Sequence, residues 1–172
     1  MKHFTFRLPV KKYIQKYLTT LYGETIQANM DTDIGFVVLN TLASRIEGKV
    51  SRGYNKQFEN INLGQITFIV PFHYYYLTKK ELSVHTSILL NRYFENRFEE
   101  DFVRYIQLVD LGGWGKYKKA IEGFAKLYNI EMEEDISFDG LKKMEYRQRK
   151  KNLEISLRRL SPIADMFSHS VA

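Results

Sequence analysis

The sequence predicts an α+β protein, mainly helical, with a small antiparallel sheet and a C-terminal helix-turn-helix-like lobe. Three observations carry that expectation. Two segments alternate apolar and polar residues as half-buried strands do, whereas several longer ones repeat apolar residues at helical spacing. The run Leu111-Gly112-Gly113-Trp114-Gly115 breaks the helical pattern late in the chain. Finally, 172 residues give room for one domain, or one domain and a small appendage.

The elements follow in order. Phe4, Phe6 and Leu8 alternate with His3, Thr5 and Arg7, which predicts a strand over residues 3–8. Pro9 stops it and suits the first turn of a helix. Val10, Ile14, Tyr17, Leu18 and Leu21 form that helix's apolar stripe, and Gly23 fits its C-terminal stop. Lys11, Lys12 and Lys16 fall off the stripe and give the helix a basic outer side. A second helix is expected from Thr32 to Arg45, capped by Asp31 or Thr32, with Ile34, Val38 and Leu42 inward. Residues 49–64 are polar and read as a loop or irregular arm.

Residues 65–77 carry the strongest strand signal, with Ile66, Phe68, Val70, Phe72, Tyr74 and Tyr76 on one face. Pro71 cannot donate to a ladder, so it demands an edge position, a bulge or a break. The 3–8 strand is the natural partner. Thr78-Lys79-Lys80-Glu81 matches a capping box, and a long helical pattern follows through Phe94, Phe98, Phe102, Tyr105 and Val109. The apolar face shifts near residues 90–94, so this is two helices or one bent one. After the glycines, Tyr117, Ala120, Ile121, Phe124, Leu127 and Tyr128 make a short amphipathic helix, ended by Asn129 and the acidic loop. Ser137 then looks like an N-cap, with Asp139 in the first turn of a helix whose apolar positions are Phe138, Leu141 and Met144, with Tyr146 a candidate fourth, and which extends toward Leu160 and stops at Pro162. The implied organisation is an α+β domain over 1–110, a hinge at 111–115, a basic helical lobe over 116–160 and a tail over 161–172. Trp114 is expected to dock on Tyr117 or Phe102 and set the angle of the hinge.

Composition limits the chemistry. There is no cysteine, so disulfides, thiolate metal sites, iron–sulfur clusters and a cysteine nucleophile are excluded. No run of about 20 apolar residues is present, and the N-terminus lacks the apolar core of a secretory signal. A cytoplasmic location, free of membrane, is the expectation. Tyr and Phe, at 12 each, are abundant. The net charge of +6 is unevenly spread. Residues 1–20 hold five basic residues and no acid. Residues 137–159 hold eight basic residues against three acids. Glu131, Glu133, Glu134 and Asp135 crowd the turn between the last two helices. Segregated basic stripes are the electrostatic footprint of phosphate binding, although lysines also serve simply to solvate a helix.

Residues 116–151 concentrate the functional signal. A helix-turn-helix packs its first helix across a second that enters the major groove. Phe124, Leu127, Ile130, Phe138 and Leu141 can supply the contacts between the helices. Lys142, Lys143, Arg147, Gln148, Arg149, Lys150 and Lys151 can supply the outer face, with Arg147, Gln148 and Arg149 suited to base edges or phosphates. Ser137 offers its hydroxyl and N–H to a phosphate at the helix start. The turn from Glu131 to Ile136 is longer and more acidic than is usual. An ordinary helical hairpin with a solvated basic face fits the same pattern. The stretches Phe124-Ala-Lys-Leu-Tyr-Asn-Ile130, Asp135-Ile-Ser-Phe-Asp-Gly-Leu-Lys-Lys143 and Tyr146-Arg-Gln-Arg-Lys-Lys151 resemble helix-turn-helix segments of small uncharacterised proteins encoded by bacteriophages and mobile elements. The resemblance covers about a fifth of the chain. It implies a DNA transaction such as replication, packaging or transcriptional control.

Other readings carry less. His73-Tyr74-Tyr75-Tyr76 resembles a base-stacking platform, but tyrosines also pack sheets against helices with their hydroxyls at the rim. The histidines show no metal-ligand spacing, and His85 reads as a core-edge residue. Asp31, Asp33 and Glu47-Gly48-Lys49 only roughly imitate a metal-dependent nuclease, since both aspartates look like helix-start residues. A non-enzymatic DNA-binding protein with no cofactor is therefore expected. Its contacts would lie at Lys142, Lys143, Arg147, Gln148, Arg149, Lys150 and Lys151, with Lys11, Lys12 and Lys16 as a second patch. The alternative is a structural or assembly protein, such as a virion component or homo-oligomer, using the same charges on other proteins.

Overall fold

The computed structural model describes residues 3–43, 63–74, 83–111 and 117–168. It is mainly helical, with one three-stranded sheet. Strand β1 (His3–Lys11) pairs antiparallel with β3 (Leu63–Pro71), in a register running from His3 opposite Pro71 to Lys11 opposite Leu63. The expected partnership of these two strands therefore forms. Between them in sequence lie α1 (Lys12–Tyr22), β2 (Thr25–Gln27) and α2 (Asp33–Ala43). The remainder is a 3₁₀ turn (Phe72–Tyr74), α3 (Val84–Leu111), α4 (Tyr117–Leu127) and α5 (Phe138–Ser168), which runs on past Leu160 and Pro162 into residues expected to form a tail.

The sheet is mixed rather than purely antiparallel. Its order is β1-β3-β2, and β2 runs parallel to β3, with Ile26 opposite Phe68. Parallel neighbours need a crossover connection, and α2 lies within it. Three residues are too few for an alternating pattern to show, which is why β2 escapes a sequence reading. Pro9 is the second departure. It continues β1 opposite Gln65 rather than opening a helix. It can do so because β1 is an edge strand, where a missing N–H is tolerated. The Pro9 carbonyl accepts a hydrogen bond from Asn91 Nδ2 at 3.0 Å, and α1 starts at Lys12. Pro71 behaves as the sequence demands, being the last residue of β3. His73 and Tyr74 consequently sit on the 3₁₀ turn instead of extending the strand to residue 77.

The sheet is packed on one side. Leu8 and Val10, Ile66, Phe68 and Val70, and Ile26 are all buried, whereas Thr5 and Arg7 face solvent. Helix α1 contributes Tyr13, Ile14, Tyr17 and Leu18 to the core; Leu21 is exposed. Gly23 closes that helix with a positive φ of 85°, its N–H donating to the Thr19 carbonyl at 2.9 Å. Thr32 caps α2 through Oγ1, which accepts the Gly35 N–H at 3.1 Å. Gly35 is required there, because a Cβ would lie 2.0 Å from the Asn29 carbonyl oxygen.

Helix α3 is a single helix of 28 residues that buries Leu90, Phe94, Phe98, Phe102 and Ile106, an unbroken four-residue stripe. Ser83 caps it, accepting the Thr86 N–H at 3.0 Å. Of the arm expected over residues 49–64, Leu63 and Gly64 belong instead to β3; the rest of it, the capping box at Thr78–Glu81, Tyr75, Tyr76 and Trp114 with its glycines lie outside the described residues. Helices α4 and α5 both pack on α3. Phe124 of α4 meets Phe98 and Phe102 edge to face, with centroids 5.5 and 5.0 Å apart, and Tyr128 lies 4.9 Å from the Tyr17 ring. Aromatic packing thus joins α1, α3 and α4 into one core, which accounts for much of the chain's aromatic content.

Candidate nucleic-acid interface

Helix α4 ends in a Schellman motif. Asn129 takes a left-handed conformation (φ 53°), Ile130 N–H reaches the Ala125 carbonyl at 2.8 Å and Asn129 N–H reaches Lys126 at 3.2 Å. The acidic turn that follows is tied internally. Asp135 Oδ2 accepts the Glu131 N–H at 2.8 Å, and Asp135 N–H returns to the Glu131 carbonyl at 2.8 Å. Ser137 then caps α5 as expected, accepting the Gly140 N–H at 3.0 Å. The Ser137 hydroxyl acts there as an acceptor, and the neighbouring Phe138 N–H donates to Glu133 Oε1 at 2.9 Å. A carboxylate of the chain itself occupies the helix N-terminus.

The two basic patches meet different fates. Lys16 Nζ lies 2.7 Å from both Glu131 Oε1 and Asp135 Oδ2, and Lys12 Nζ lies 3.3 Å from Asp135 Oδ1. Lys11 pairs with Glu95 at 2.9 Å and sits over the Tyr13 ring. All three lysines of the second patch thus have carboxylate partners within the chain. The Asp135 side chain is fully buried. Burial pushes its carboxyl up, but Lys16, the Glu131 amide and Lys12 together hold it below the usual range. Lys16 is raised by hydrogen bonds to Asp135 and Glu131.

On α5 the division of faces is clean. Leu141 is fully buried, Glu145 is buried, and Met144 and Gln148 are half-buried. Glu145 accepts the Tyr117 hydroxyl at 3.3 Å and pairs with Arg149 at 3.6 Å. Burial and the adjacent Glu145 charge push the Tyr117 phenol up to about 12. The opposite side carries Lys142, Lys143, Arg147, Arg149, Lys150 and Lys151, all exposed. Among the described residues only Arg149 of these six has a carboxylate within 4.0 Å. Arg147 and Lys151 are near enough to Glu99 on α3 to oppose the rise of its carboxyl, which burial and Glu95 push up.

The structure brings the α5 cations onto one solvent-facing arc; Lys11 acts on the same Glu99 carboxyl as Arg147 and Lys151, whereas Lys12 and Lys16 are held by the acidic turn. Gln148 is the exception within the α5 set, since it lies toward the core. Of the expected interhelical contacts, Phe124, Ile130 and Leu141 are buried, whereas Leu127 is exposed. The His73 and Tyr74 rings contact each other at 4.3 Å. Asp31 and Asp33 stand at the start of α2, as helix-start residues.

Sequence reasoning missed Tyr146. It took this residue as a possible inward position, yet it is 59% exposed amid the α5 cations. The signal was available, since Leu141, Met144, Glu145 and Gln148 define an inner face that excludes it. No family model, curated protein or solved structure matches the chain.

Proposed function

We propose that the protein is a non-enzymatic nucleic-acid-binding protein, acting on DNA rather than RNA, with the outer face of α5 as its contact surface. One observation carries this reading. Lys142, Lys143, Arg147, Lys150 and Lys151 are exposed together on one helix and, among the described residues, form no ion pair. Like charges held at this density repel one another, and phosphates relieve that repulsion while releasing counterions. The resemblance of this segment to bacteriophage and mobile-element proteins favours replication, packaging or transcriptional control, in a host cytoplasm or a virion. No helix among the described residues is long and apolar enough to cross a membrane.

A mobility-shift titration of the full chain at two salt concentrations tests the reading. Binding should weaken steeply with salt, by roughly 0.9 in logarithmic slope for each phosphate contact. Changing Lys142, Lys143, Arg147, Lys150 and Lys151 together to Ala should abolish the shift. No retardation of wild type at low salt sinks the proposal.

A second reading is assembly, as a structural component. The observation favouring it is that Leu153 and Ile155 are exposed on the same helix, 61% and 40% respectively. Exposed apolar side chains beside cations suit a protein interface. Light scattering that shows a large, salt-sensitive oligomer free of nucleic acid would support this alternative.

A further inference from the structure

The α5 surface is not uniformly charged. Residues four apart on a helix lie one above the other, so the outer face resolves into two rows. Lys142, Tyr146 and Lys150 form one, and Lys143, Arg147 and Lys151 form the other. The second row borders Glu99 of α3. The first has an aromatic ring as its middle member. Tyr146 is 59% exposed and makes no ring, cation–π or hydrogen-bond contact among the described residues. A bare aromatic face between two ammonium groups, spaced over about 12 Å of helix, has the composition of a single-strand platform. Such platforms combine cations that track the phosphates with a ring on which a base stacks.

Two further features favour a single strand over a duplex. Four of the five unpaired cations are lysines, flexible point charges suited to phosphates rather than the planar forks that read guanine edges. In addition, a duplex-reading helix-turn-helix sets its first helix across the second, whereas here α4 and α5 each pack mainly on α3.

Resting on the reading of α5 as a nucleic-acid surface, we infer that Tyr146 is a base-stacking residue and that the ligand is single-stranded DNA. The row Lys142–Tyr146–Lys150 holds two phosphates on either side of an unstacked base. Stacking needs the ring and not the hydroxyl.

Fluorescence anisotropy tests this with labelled oligothymidylate and with a duplex of equal length. Wild type should prefer the single strand. Tyr146→Ala should lose about tenfold or more in affinity for it, with little change on the duplex and an unaltered salt slope, because no phosphate contact is removed. Tyr146→Phe should retain wild-type binding. Equal binding of oligothymidylate by wild type and Tyr146→Ala, or a wild-type preference for duplex, overturns the inference and leaves the reading of α5 standing. If wild type binds neither probe at low salt, that reading falls as well. Tyr146 lies outside the hydrophobic core, so circular dichroism and the melting temperature of both variants should stay close to wild type.

Discussion

Asp135 and Glu99 are acidic residues whose environments push them in opposite directions, and each makes a distinct prediction. The Asp135 side chain is fully buried between Lys12 and Lys16. Its carboxyl is held below the ordinary value of 3.8, so the stability it contributes is present above that pH and lost as the pH falls through its folded value. Asp135→Asn should cost about 2 kcal/mol in urea unfolding at neutral pH, below the roughly 3–5 kcal/mol of a fully buried pair because both lysines are partly exposed. The penalty should shrink in acid, where wild type loses the charge too. Glu99 is raised above its ordinary value of 4.5 by burial and by Glu95. Its favourable contribution is complete below that value and disappears as the pH rises through the folded value. Glu99→Gln should therefore raise the melting temperature at pH 7, and the gain should vanish below about pH 4. Gly35→Ala, with its Cβ driven onto the Asn29 carbonyl, should cost more than the roughly 1 kcal/mol of a lost α2 cap in Thr32→Ala.

Among the elements, the segments over residues 1–20 and 137–159 carry equal net charge in sequence but meet unequal fates in the structure. Neutralising Lys11, Lys12 and Lys16 with Gln should lower the unfolding midpoint and leave the salt dependence of DNA binding little changed, because these cations already face Glu95, Glu131 and Asp135. Neutralising the α5 lysines should do the reverse. This division was not legible beforehand, since it depends on which acidic segment folds against which basic one. Amphipathic periodicity made the helices legible, and the Asn129 and Ser137 boundaries followed from capping chemistry. Periodicity failed where it had too few residues to act on, as in the three-residue β2. It also failed at Pro9, where edge position in the sheet overrode the residue's usual preference.

The whole molecule is organised around α3, against which the one-sided sheet, α1, α2, α4 and α5 are laid. Much of its core was readable because apolar residues at spacings of two and four have few places to go. Tyr17 shows the limit. Its ring contacts were foreseeable as core, but its hydroxyl donates to Asp101 at 2.6 Å across 84 residues of sequence. The clasp between α1 and the acidic turn has a similar reach, since Lys16 and Glu131 are 115 residues apart. Its consequence is kinetic. Closing so long a loop is entropically unfavourable and is repaid only after both segments are built. The clasp should therefore be absent from the folding transition state. In stopped-flow measurements, Asp135→Asn should leave the refolding rate almost unchanged and accelerate unfolding by nearly the whole equilibrium deficit. A clasp that forms last and breaks first acts on the lifetime of the native state, and the turn it restrains leads directly into the helix that bears the cations.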